Sequence, residues 1–287
     1  MSAARPEKLL LGLIGSEIQA SRTPAMHEHE ARACGISCLY QLIDLAKLRL
    51  DVKALYRLLQ AAEWMGFGGL NITYPCKQAV LPLLTEISED AQALGAVNAV
   101  VLRDGRRSGH NTDWQAFARS FRESMQGARI EKVVQLGSGG GGSATAYAML
   151  TLGAGYLTII DPDTERSWAL VARLAALFGT ERVHTGNDLA MEFASADGLV
   201  HASPIGMYGH EGLAVPKDLL RPSLWVAEIV YFPLETELLI EAKRRGCRTI
   251  NGSGMAVYQA AESFRLFTGL EPDVDRMRRH FVSMVET

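Results

Sequence analysis

The sequence predicts an α/β protein of two domains, each built on a sheet with parallel strands. Three observations support this prediction. The chain has 287 residues, a length greater than that of one usual compact domain, and 48% of its residues are hydrophobic, enough for a substantial core. Short apolar runs alternate with segments of helical spacing, which is the βαβ rhythm of a parallel sheet. One of those runs leads directly into a glycine-rich turn that opens a helix.

The N-terminal part of the chain contains three predicted strands and two predicted helices. The apolar runs 9–14, 38–43 and 68–73 have the length and the flanking turn residues of strands. One helix is expected to begin at Thr23-Pro24, and apolar residues at helical spacing predict another over 52–64. These five segments form consecutive β and α elements.

Residues 96–113 interrupt this alternation and predict a β-hairpin. Two extended stretches flank the turn signal Asp104-Gly105. The segment 114–125 then has helical spacing and connects the two predicted domains. We therefore place a domain boundary near residue 115.

The segment GSGGGG, which follows the predicted strand 132–136, predicts a dinucleotide site. Gly137, Gly139 and Gly142 satisfy the pattern GxGxxG between a strand and a helix. The first glycine permits a tight turn, the second lets a pyrophosphate approach the backbone, and the third lets the helix pack closely. We expect a Rossmann-type, doubly wound parallel sheet here, with these cofactor contacts: Gly137, Ser138, Gly139, Gly140, Gly141 and Gly142.

Asp161 indicates which dinucleotide is preferred. It ends the predicted strand 156–160 and lies 24 positions after Gly137, near the usual offset of the acidic residue that binds ribose hydroxyls. A 2′-phosphate at that place would meet a like charge, so NAD is favoured over NADP. Arg166 is close enough in sequence to keep NADP open.

Two further predicted strands, 198–202 and 224–230, end in the segments HASPIGM and EIVYFP. Ligands of open parallel sheets bind outside the carboxyl ends of the strands, so these segments are expected to line the cofactor crevice. Met207 and Tyr231 are candidates to touch the nicotinamide ring. Ser203 and Gly252 are further predicted cofactor contacts.

Composition and charge argue against several classes of protein. The formal net charge of −3 is spread without long single-sign blocks, which argues against nucleic-acid binding. No run approaches the ~20 apolar residues of a membrane span. Four cysteines without a CxxC pair predict reduced thiols and a cytoplasmic location. His27 and His29 would point to different faces of a helix, so we predict no metal.

Eight motifs together resemble the shikimate dehydrogenase family. They are SRTPAMH, NITYPCK, GAVNAV, GHNTD, GSGGGG, SPIGM, VYFP and GSGMAVYQA. Their order and approximate spacing match the family over nearly the whole chain. The version found here is most similar to the quinate/shikimate dehydrogenases that prefer NAD.

The resemblance implies a two-domain enzyme with its active site in the interdomain cleft. A substrate-binding and catalytic domain would comprise residues 1–115, completed by C-terminal helices over 252–287. The dinucleotide-binding domain would comprise residues 116–251. The implied reaction transfers a hydride between NAD(H) and shikimate/3-dehydroshikimate or quinate/3-dehydroquinate, and the protein would be a monomer or a homodimer.

The resemblance also assigns residues. Lys77 and Asp113 match the family's catalytic lysine and aspartate and would act as a coupled proton-transfer pair. The positions that match the substrate-binding set are Ser21, Thr23, Asn71, Thr73, Asn98, Tyr231 and Gln259. Short hydroxyl and amide side chains suit a ligand with one carboxylate and several hydroxyls.

Some positions depart from the family pattern and leave alternatives open. Thr23 stands where many shikimate-specific members have serine, which favours quinate as a substrate. His201 and Glu228 replace a common asparagine and aspartate near the cofactor. Aminoshikimate or another cyclic hydroxy acid would suit the same fold, and a dinucleotide-binding regulator without turnover is a third possibility. Without the resemblance, Lys77 is read as a solvated lysine and Ser21-Arg22-Thr23 as a helix cap.

Overall fold

A computed structural model describes residues 8–285 of the chain. The chain divides into two compact units. The first unit runs to Thr112 and resumes at Val257, and the second unit is Asp113–Ala256. The two-domain α/β fold class predicted from the sequence is confirmed, with parallel strand pairing in both sheets.

The first unit is built on a six-stranded mixed sheet in the order β2-β1-β3-β5-β6-β4. Its strands are β1 (Lys8–Gly15), β2 (Ser37–Asp44), β3 (Gly69–Ile72), β4 (Glu86–Ile87), β5 (Ala99–Arg103) and β6 (Arg106–His110). Its helices before residue 113 are α1 (Thr23–Ala33), α2 (Leu45–Leu48), α3 (Leu55–Trp64), α4 (Cys76–Ala79) and α5 (Glu89–Leu94), with 3-10 turns at Val52–Ala54 and Leu81–Leu83. β1 pairs in parallel with β2 and β3, whereas β3 pairs antiparallel with β5.

The predicted hairpin is confirmed as β5 and β6. Asp104 and Gly105 form its two-residue turn, with φ angles of 53° and 71°. Positive φ at both positions matches the right-handed twist of the strands, and Asp-Gly tolerates it. β5 begins beside the carboxyl end of β3, and the hairpin returns the chain so that β6 ends next to the start of β5.

The second unit is built on a six-stranded sheet that is parallel throughout its described pairs. Its strands are β7 (Lys132–Leu136), β8 (Tyr156–Ile160), β9 (Val183–Thr185), β10 (Gly198–His201), β11 (Trp225–Glu228) and β12 (Arg248–Ile250). Its helices are α6 (Asp113–Ser124), α7 (Gly140–Thr151), α8 (Thr164–Phe178), α9 (Leu189–Ala194) and α10 (Glu237–Arg244), with a 3-10 turn at Lys217–Leu219. Helices α11 (Ser253–Thr268) and α12 (Val274–Val285) complete the chain.

The strand order of the second unit, β12-β11-β10-β7-β8-β9, reverses between β7 and β10. Such a reversal creates a crevice outside the carboxyl ends of the two strands, where open parallel sheets bind ligands. The segment GSGGGG follows β7 directly and therefore lies at that crevice. The core beneath it contains Trp225, whose indole packs edge-on against Phe121 at a centroid distance of 4.8 Å.

None of the helices within residues 8–285 combines the length and the apolar character needed to cross a membrane.

Candidate active site

The glycine loop, residues 137–142, is closed on its inner side by steric contact. Gly137 has a φ of 98°, and a Cβ there would lie 2.4 Å from the carbonyl oxygen of Ala202 in the loop after β10. A Cβ on Gly142 would lie 2.3 Å from the carbonyl oxygen of Gly137. Only glycine fits these two positions without displacing backbone. The loop is thereby packed against the point where the strand order reverses.

The same loop is open at Gly139. A Cβ built there meets nothing within 4 Å. Gly139 is the N-cap of α7, and no side chain of the described residues caps it, so the first N–H groups of this twelve-residue helix are available for an anion. The residues present therefore fit the pyrophosphate of a dinucleotide.

Two other predicted cofactor glycines have close backbone or side-chain neighbours. A Cβ on Gly252 would lie 2.3 Å from the carbonyl oxygen of Ile229, and one on Gly141 would lie 2.7 Å from the Cδ1 atom of Ile229. Ile229 directly follows β11, so both glycines permit close packing at the end of that strand. Gly140 is the first residue of α7.

Asp161 lies buried at the tip of β8 and accepts four hydrogen bonds. Ser138 donates from its backbone N and from Oγ, each at 2.7 Å to Oδ2. The backbone N of Asp163 and Nη2 of Arg166 donate to Oδ1 at 2.9 and 2.8 Å. Burial alone would raise the pKa of Asp161, but the bonds from Arg166, Ser138 and Asp163 lower it below its ordinary value. The Asp161 carboxylate therefore accepts hydrogen bonds from Ser138 of the glycine loop and from Arg166, the cation that could compensate the charge of an NADP phosphate.

His201 and Glu228, two of the three departures from the family pattern, form one buried pair at the ends of β10 and β11. The Nδ1 atom of His201 lies 2.8 Å from Oε2 of Glu228, and Nε2 lies 2.6 Å from Oγ of Ser203. Glu228 accepts from the backbone N of Val230 and from Oγ1 of Thr236, so its oxygens act as acceptors. It follows that Nδ1 donates to Glu228, while Nε2 and the Ser203 hydroxyl share the second hydrogen bond.

This pair fixes the two loops that carry the remaining predicted cofactor contacts. Ser203 is half-buried and bonded to His201, while Met207 is 38% exposed in the same loop. The backbone N of Tyr208 donates to the carbonyl of Phe232 at 3.2 Å and joins this loop to the one after β11. Tyr231 is half-buried in that second loop.

In the first unit, Asn71 belongs to a buried network of amide and hydroxyl groups. The hydroxyl of Tyr40 donates to Oδ1 of Asn71 at 2.8 Å. The Nδ2 atom of Asn71 donates to Oγ of Ser263 at 3.0 Å and to the carbonyl of Asn98 at 3.3 Å. Burial raises the pKa of Tyr40 well above its ordinary value, so the hydroxyl remains a donor. Both amide hydrogens of Asn71 are used within the protein, which leaves only its oxygen able to accept a further hydrogen bond.

Asn98 extends this network to Thr112 and helix α11. Its Oδ1 accepts from the backbone N of Thr112 at 2.7 Å, and its Nδ2 donates to Oγ1 of the same threonine at 2.9 Å. Oγ1 of Thr112 donates to the backbone carbonyl of Gln259 at 3.2 Å, and Ser263 Oγ donates to that carbonyl at 2.8 Å. We call these five residues the amide network: Asn71, Asn98, Thr112, Gln259 and Ser263.

Asp113 directly follows Thr112 and is the first residue of α6. Its side chain is 5% exposed and lies in the first turn, where the helix dipole favours a carboxylate. The two hydrogen bonds between Asn98 and Thr112 therefore fix the backbone immediately before Asp113.

Lys77 is the second residue of the short helix α4 and is half-buried. Its carbonyl accepts from the backbone N of Val97 at 2.9 Å, which fixes α4 beside Asn98. Thr73 lies between β3 and α4, and a Cβ on Gly15 would meet its Cγ2 atom at 2.3 Å. Lys77, Thr73 and Asn98 therefore lie at the edge of the sheet where β3 ends and β5 begins.

Ser21 and Thr23 lie at the start of α1. The backbone N of Thr23 donates to Oγ of Ser21 at 3.3 Å, which is a local turn bond before the helix. The N-cap of α1 is Arg22, and no side chain of the described residues caps it, so the helix-capping interpretation of Ser21 and Thr23 is wrong. The loop before them is held by Asp44, which accepts from the backbone N of Glu17 and of Ile18. Burial alone would raise the pKa of Asp44, but these hydrogen bonds lower it.

The two histidines that raised the question of a metal point into different surroundings. His27 is 0% exposed and packs against the ring of Tyr40 at a centroid distance of 5.1 Å. His29 stacks on His280 at 4.0 Å. Among residues 8–285, no three His, Cys, Asp or Glu side chains are grouped so that they could hold a metal ion.

The sequence analysis missed Tyr40, Ser263 and Gln135, which hold predicted site residues in place. Ser263 lies four residues after Gln259 on the same helix, and this spacing is a signal that could have revealed it. Gln135 is a polar residue within an apolar strand. No local pattern distinguishes Tyr40, because its bond to Asn71 spans 31 residues.

Comparison with known proteins gives the family of the chain. The shikimate dehydrogenase (NADP(+)) of Streptomyces avermitilis is 50% identical over 283 residues, which is 98% of this chain and 97% of that protein. The chain belongs to the shikimate dehydrogenase family. Family profiles match at residues 13–100 for the shikimate dehydrogenase substrate binding domain and at 252–280 for the shikimate 5′-dehydrogenase C-terminal domain.

Two further members of the shikimate dehydrogenase family are equally informative. The quinate/shikimate dehydrogenase (NAD(+)) of Corynebacterium efficiens is 50% identical over 281 residues, covering 97% of this chain and 99% of that one. The structure of quinate dehydrogenase from Corynebacterium glutamicum in complex with NAD is 48% identical with a TM-score of 0.90, covering 96% and 99% of the two chains. The resemblance stated from the motifs is confirmed, and the relatives include both NAD- and NADP-named proteins.

Proposed function

We propose that this chain is a dehydrogenase that transfers a hydride between NAD(H) and shikimate or quinate. The observation that carries the proposal is the match of about half of all residues, over nearly the full length, to relatives named for these activities. The open backbone at Gly139, placed where a parallel sheet reverses its strand order, supports the dinucleotide part independently.

In the proposed mechanism, Lys77 and Asp113 handle the proton of the reacting hydroxyl. When bound, the nicotinamide accepts or returns the hydride. The Nζ atom of Lys77 takes the hydroxyl proton during oxidation and gives it back to the carbonyl oxygen during reduction. We propose Asp113 as the second member of a coupled proton-transfer pair with Lys77. Both roles rest on the positions these residues share with the family motifs.

The proposed substrate-binding residues include three members of the amide network. We propose that Ser21, Thr23, Asn71, Thr73, Asn98, Gln259 and Tyr231 bind the carboxylate and hydroxyls of the acid. Asn71 would act only as an acceptor, because its amide hydrogens bond Ser263 and Asn98. It is therefore suited to a substrate hydroxyl and unsuited to a carboxylate.

NAD is the cofactor that we propose. A buried carboxylate at the tip of β8 disfavours a 2′-phosphate by like charge, and Asp161 is held ionised by its donors. Arg166 lies beside it and would partly compensate that charge. Replacing Arg166 by alanine is expected to reduce kcat/KM with NADP more than with NAD, whereas Asp161→Asn should improve NADP relative to NAD.

Initial rates with both acids and both cofactors test the proposal. We expect turnover of quinate and shikimate, with a higher kcat/KM for NAD than for NADP. Equal kcat/KM with the two cofactors would contradict the NAD assignment alone. Absence of turnover with either acid in the presence of bound NAD would instead favour another cyclic hydroxy acid, such as an aminoshikimate, or a regulator without catalysis, and a wider panel of acids separates these two.

A further inference from the structure

A glutamine stands inside the strand that leads to the glycine loop. Strand β7 reads KVVQL, and Gln135 is 0% exposed within it. Burying an amide in an apolar sheet costs free energy unless all of its hydrogen-bonding groups find partners. An aliphatic residue would fill the same strand position without that requirement. The question is therefore what the amide of Gln135 bonds.

All three hydrogen-bonding groups of Gln135 are used, and every partner belongs to the glycine loop or to the helix that follows it. Its Nε2 atom donates to the carbonyl of Gly137 at 2.9 Å and to the carbonyl of Gly142 at 2.8 Å. Its Oε1 accepts from the hydroxyl of Thr145 at 2.9 Å. The amide thus joins the first and last glycines of GxGxxG. The two carbonyls fix which way round the amide stands, because they can only accept, and Thr145 supplies the donor for Oε1.

The bond to Gly137 also determines the direction of an N–H group. In a trans peptide the C=O and the next N–H point in opposite directions. Because the carbonyl of Gly137 is held toward Gln135, the N–H of Ser138 points the other way, and it donates to Asp161 at 2.7 Å. Gln135 therefore acts on the carboxylate at the tip of β8 through a single peptide group.

The bond to Gly142 acts in the same way at the other end of the loop. The N–H that shares a peptide with this carbonyl belongs to Ser143, and it donates to the carbonyl of Gly139 at 2.8 Å. Both ends of the loop are thus fixed from inside the sheet. Between them lie Gly139 and the start of α7, where the backbone is open to an anion.

We propose that Gln135, whose Oε1 accepts a hydrogen bond from Thr145, is a positioning residue for dinucleotide binding. It holds the two flanking peptides of the glycine loop so that the N–H groups between them face the pyrophosphate and Ser138 faces Asp161. This inference rests on the proposed dinucleotide function. It assigns a role in cofactor affinity to a strand residue that is 0% exposed.

The test measures the dissociation constant of NAD by calorimetry on the full chain, together with the unfolding midpoint and the KM of the acid substrate. Gln135→Met keeps the volume and removes both donors, which leaves two buried carbonyls without these partners. We expect NAD to bind about 10- to 100-fold more weakly, with the KM of the acid changed by less than about twofold. A role in packing alone would lower the unfolding midpoint and leave the affinity for NAD unchanged.

Gln135→Glu provides a readout that packing cannot imitate. A carboxylate there would set acceptor against acceptor at both carbonyls, whereas a protonated carboxyl supplies one donor. We expect the affinity of this variant for NAD to be lowest at high pH and to recover as pH falls, a dependence absent from the Gln135→Met variant. Thr145→Val, which removes the hydroxyl that bonds Oε1 of Gln135 at 2.9 Å and the carbonyl of Gly142 at 3.2 Å, should weaken NAD about three- to tenfold and keeps the test usable if the other variants fold poorly.

Thr158→Val is the matched control. Thr158 is a polar residue 2% exposed in the neighbouring strand β8, and it bonds Glu192 rather than the glycine loop. Its loss should leave NAD affinity unchanged. If the wild-type chain binds NAD and folded Gln135→Met binds it equally well, the positioning role is wrong while the proposed function stands. If the wild-type chain binds no dinucleotide, both are wrong.

Discussion

The amide network of the first unit and the glycine loop of the second are built from different materials. The glycine loop is one continuous segment whose conformation depends on backbone geometry and on the absence of a Cβ at Gly137 and Gly142. The amide network consists of side chains from distant parts of the chain, and the bond between Asn71 and Ser263 spans 192 residues. The conformation of the glycine loop is disrupted when an atom is added at Gly137 or Gly142. The hydrogen bonds of the amide network are lost when a side-chain atom is removed.

The largest expected effect removes a side chain from the first region. Lys77→Ala should lower kcat about 10²- to 10⁴-fold with a much smaller change in KM, because the proton acceptor is lost while the binding groups remain. Steady-state kinetics with the preferred acid and NAD measure this. Gln78→Ala, an exposed neighbour in α4, is the control and should be nearly silent. Near-normal turnover of the lysine variant would return Lys77 to the interpretation as a solvated surface residue.

Adding one methyl group to the glycine loop should separate folding from binding. Gly137→Ala forces a positive φ and a backbone clash, so the free energy of unfolding should fall by about 3 kcal/mol. Gly139→Ala meets open space, so its stability should stay within about 0.5 kcal/mol of wild type while NAD binding weakens at least about tenfold. Denaturant titration and calorimetry measure the two quantities. An alanine at 139 that leaves NAD affinity intact would show that no ligand approaches there.

Acid should affect the side-chain region through His27, which packs on Tyr40. Burial lowers the pKa of His27 to about 3. The unfolded chain takes up this proton below about pH 6.5 and the folded chain does not, so stability falls as pH drops from about 6.5 toward 3. Replacing His27 by phenylalanine should remove about 2 to 3 kcal/mol of the stability difference between about pH 7 and about pH 4.5. Urea titrations at the two pH values measure it, and an unchanged difference would exclude His27 as the cause.

The smallest expected effect tests how the network orients Asn71. Tyr40→Phe removes one hydroxyl and leaves the ring that packs on His27. We expect a loss of about 1 kcal/mol in stability and a rise of about three- to tenfold in the KM of the acid, with the affinity for NAD unchanged. Fluorescence-monitored unfolding and initial rates measure these values. A loss of NAD affinity as large as the rise in the KM of the acid would mean that Tyr40 affects the glycine loop as well as the amide network.

The contrast between the regions also explains what the sequence could predict. Strands 132–136 and 156–160 were predicted with the limits that the structure shows, because apolar runs bounded by turn residues are local signals. The hairpin at Asp104-Gly105 and the glycine loop were equally local. The fold class and the family are confirmed, while the catalytic and binding roles of individual residues stay predictions.

What the sequence could not predict is the partner of each polar side chain. No local pattern marks Tyr40, and the spacing that relates Ser263 to Gln259 does not reveal its bond to Asn71, because both bonds to Asn71 form only when distant strands and helices pack. The pairing of His201 with Glu228 across two strands also depends on their register, which the sequence does not specify. In the sequence, His201 and Glu228 are two separate departures from the family pattern, whereas in the structure they form one hydrogen-bonded pair.

The Asp161 carboxylate meets any incoming cofactor with its lone pairs already engaged by Ser138, Asp163 and Arg166. A ribose hydroxyl can therefore bind there only by exchange, taking the place of an existing donor. Arg166 is the easiest to displace, since its side chain is 48% exposed and dissolved salt screens an ion pair of that kind. If Asp161 binds the ribose as proposed, we expect the ionic strength of the medium to affect the choice between NAD and NADP, because salt weakens the ion pair between Arg166 and Asp161.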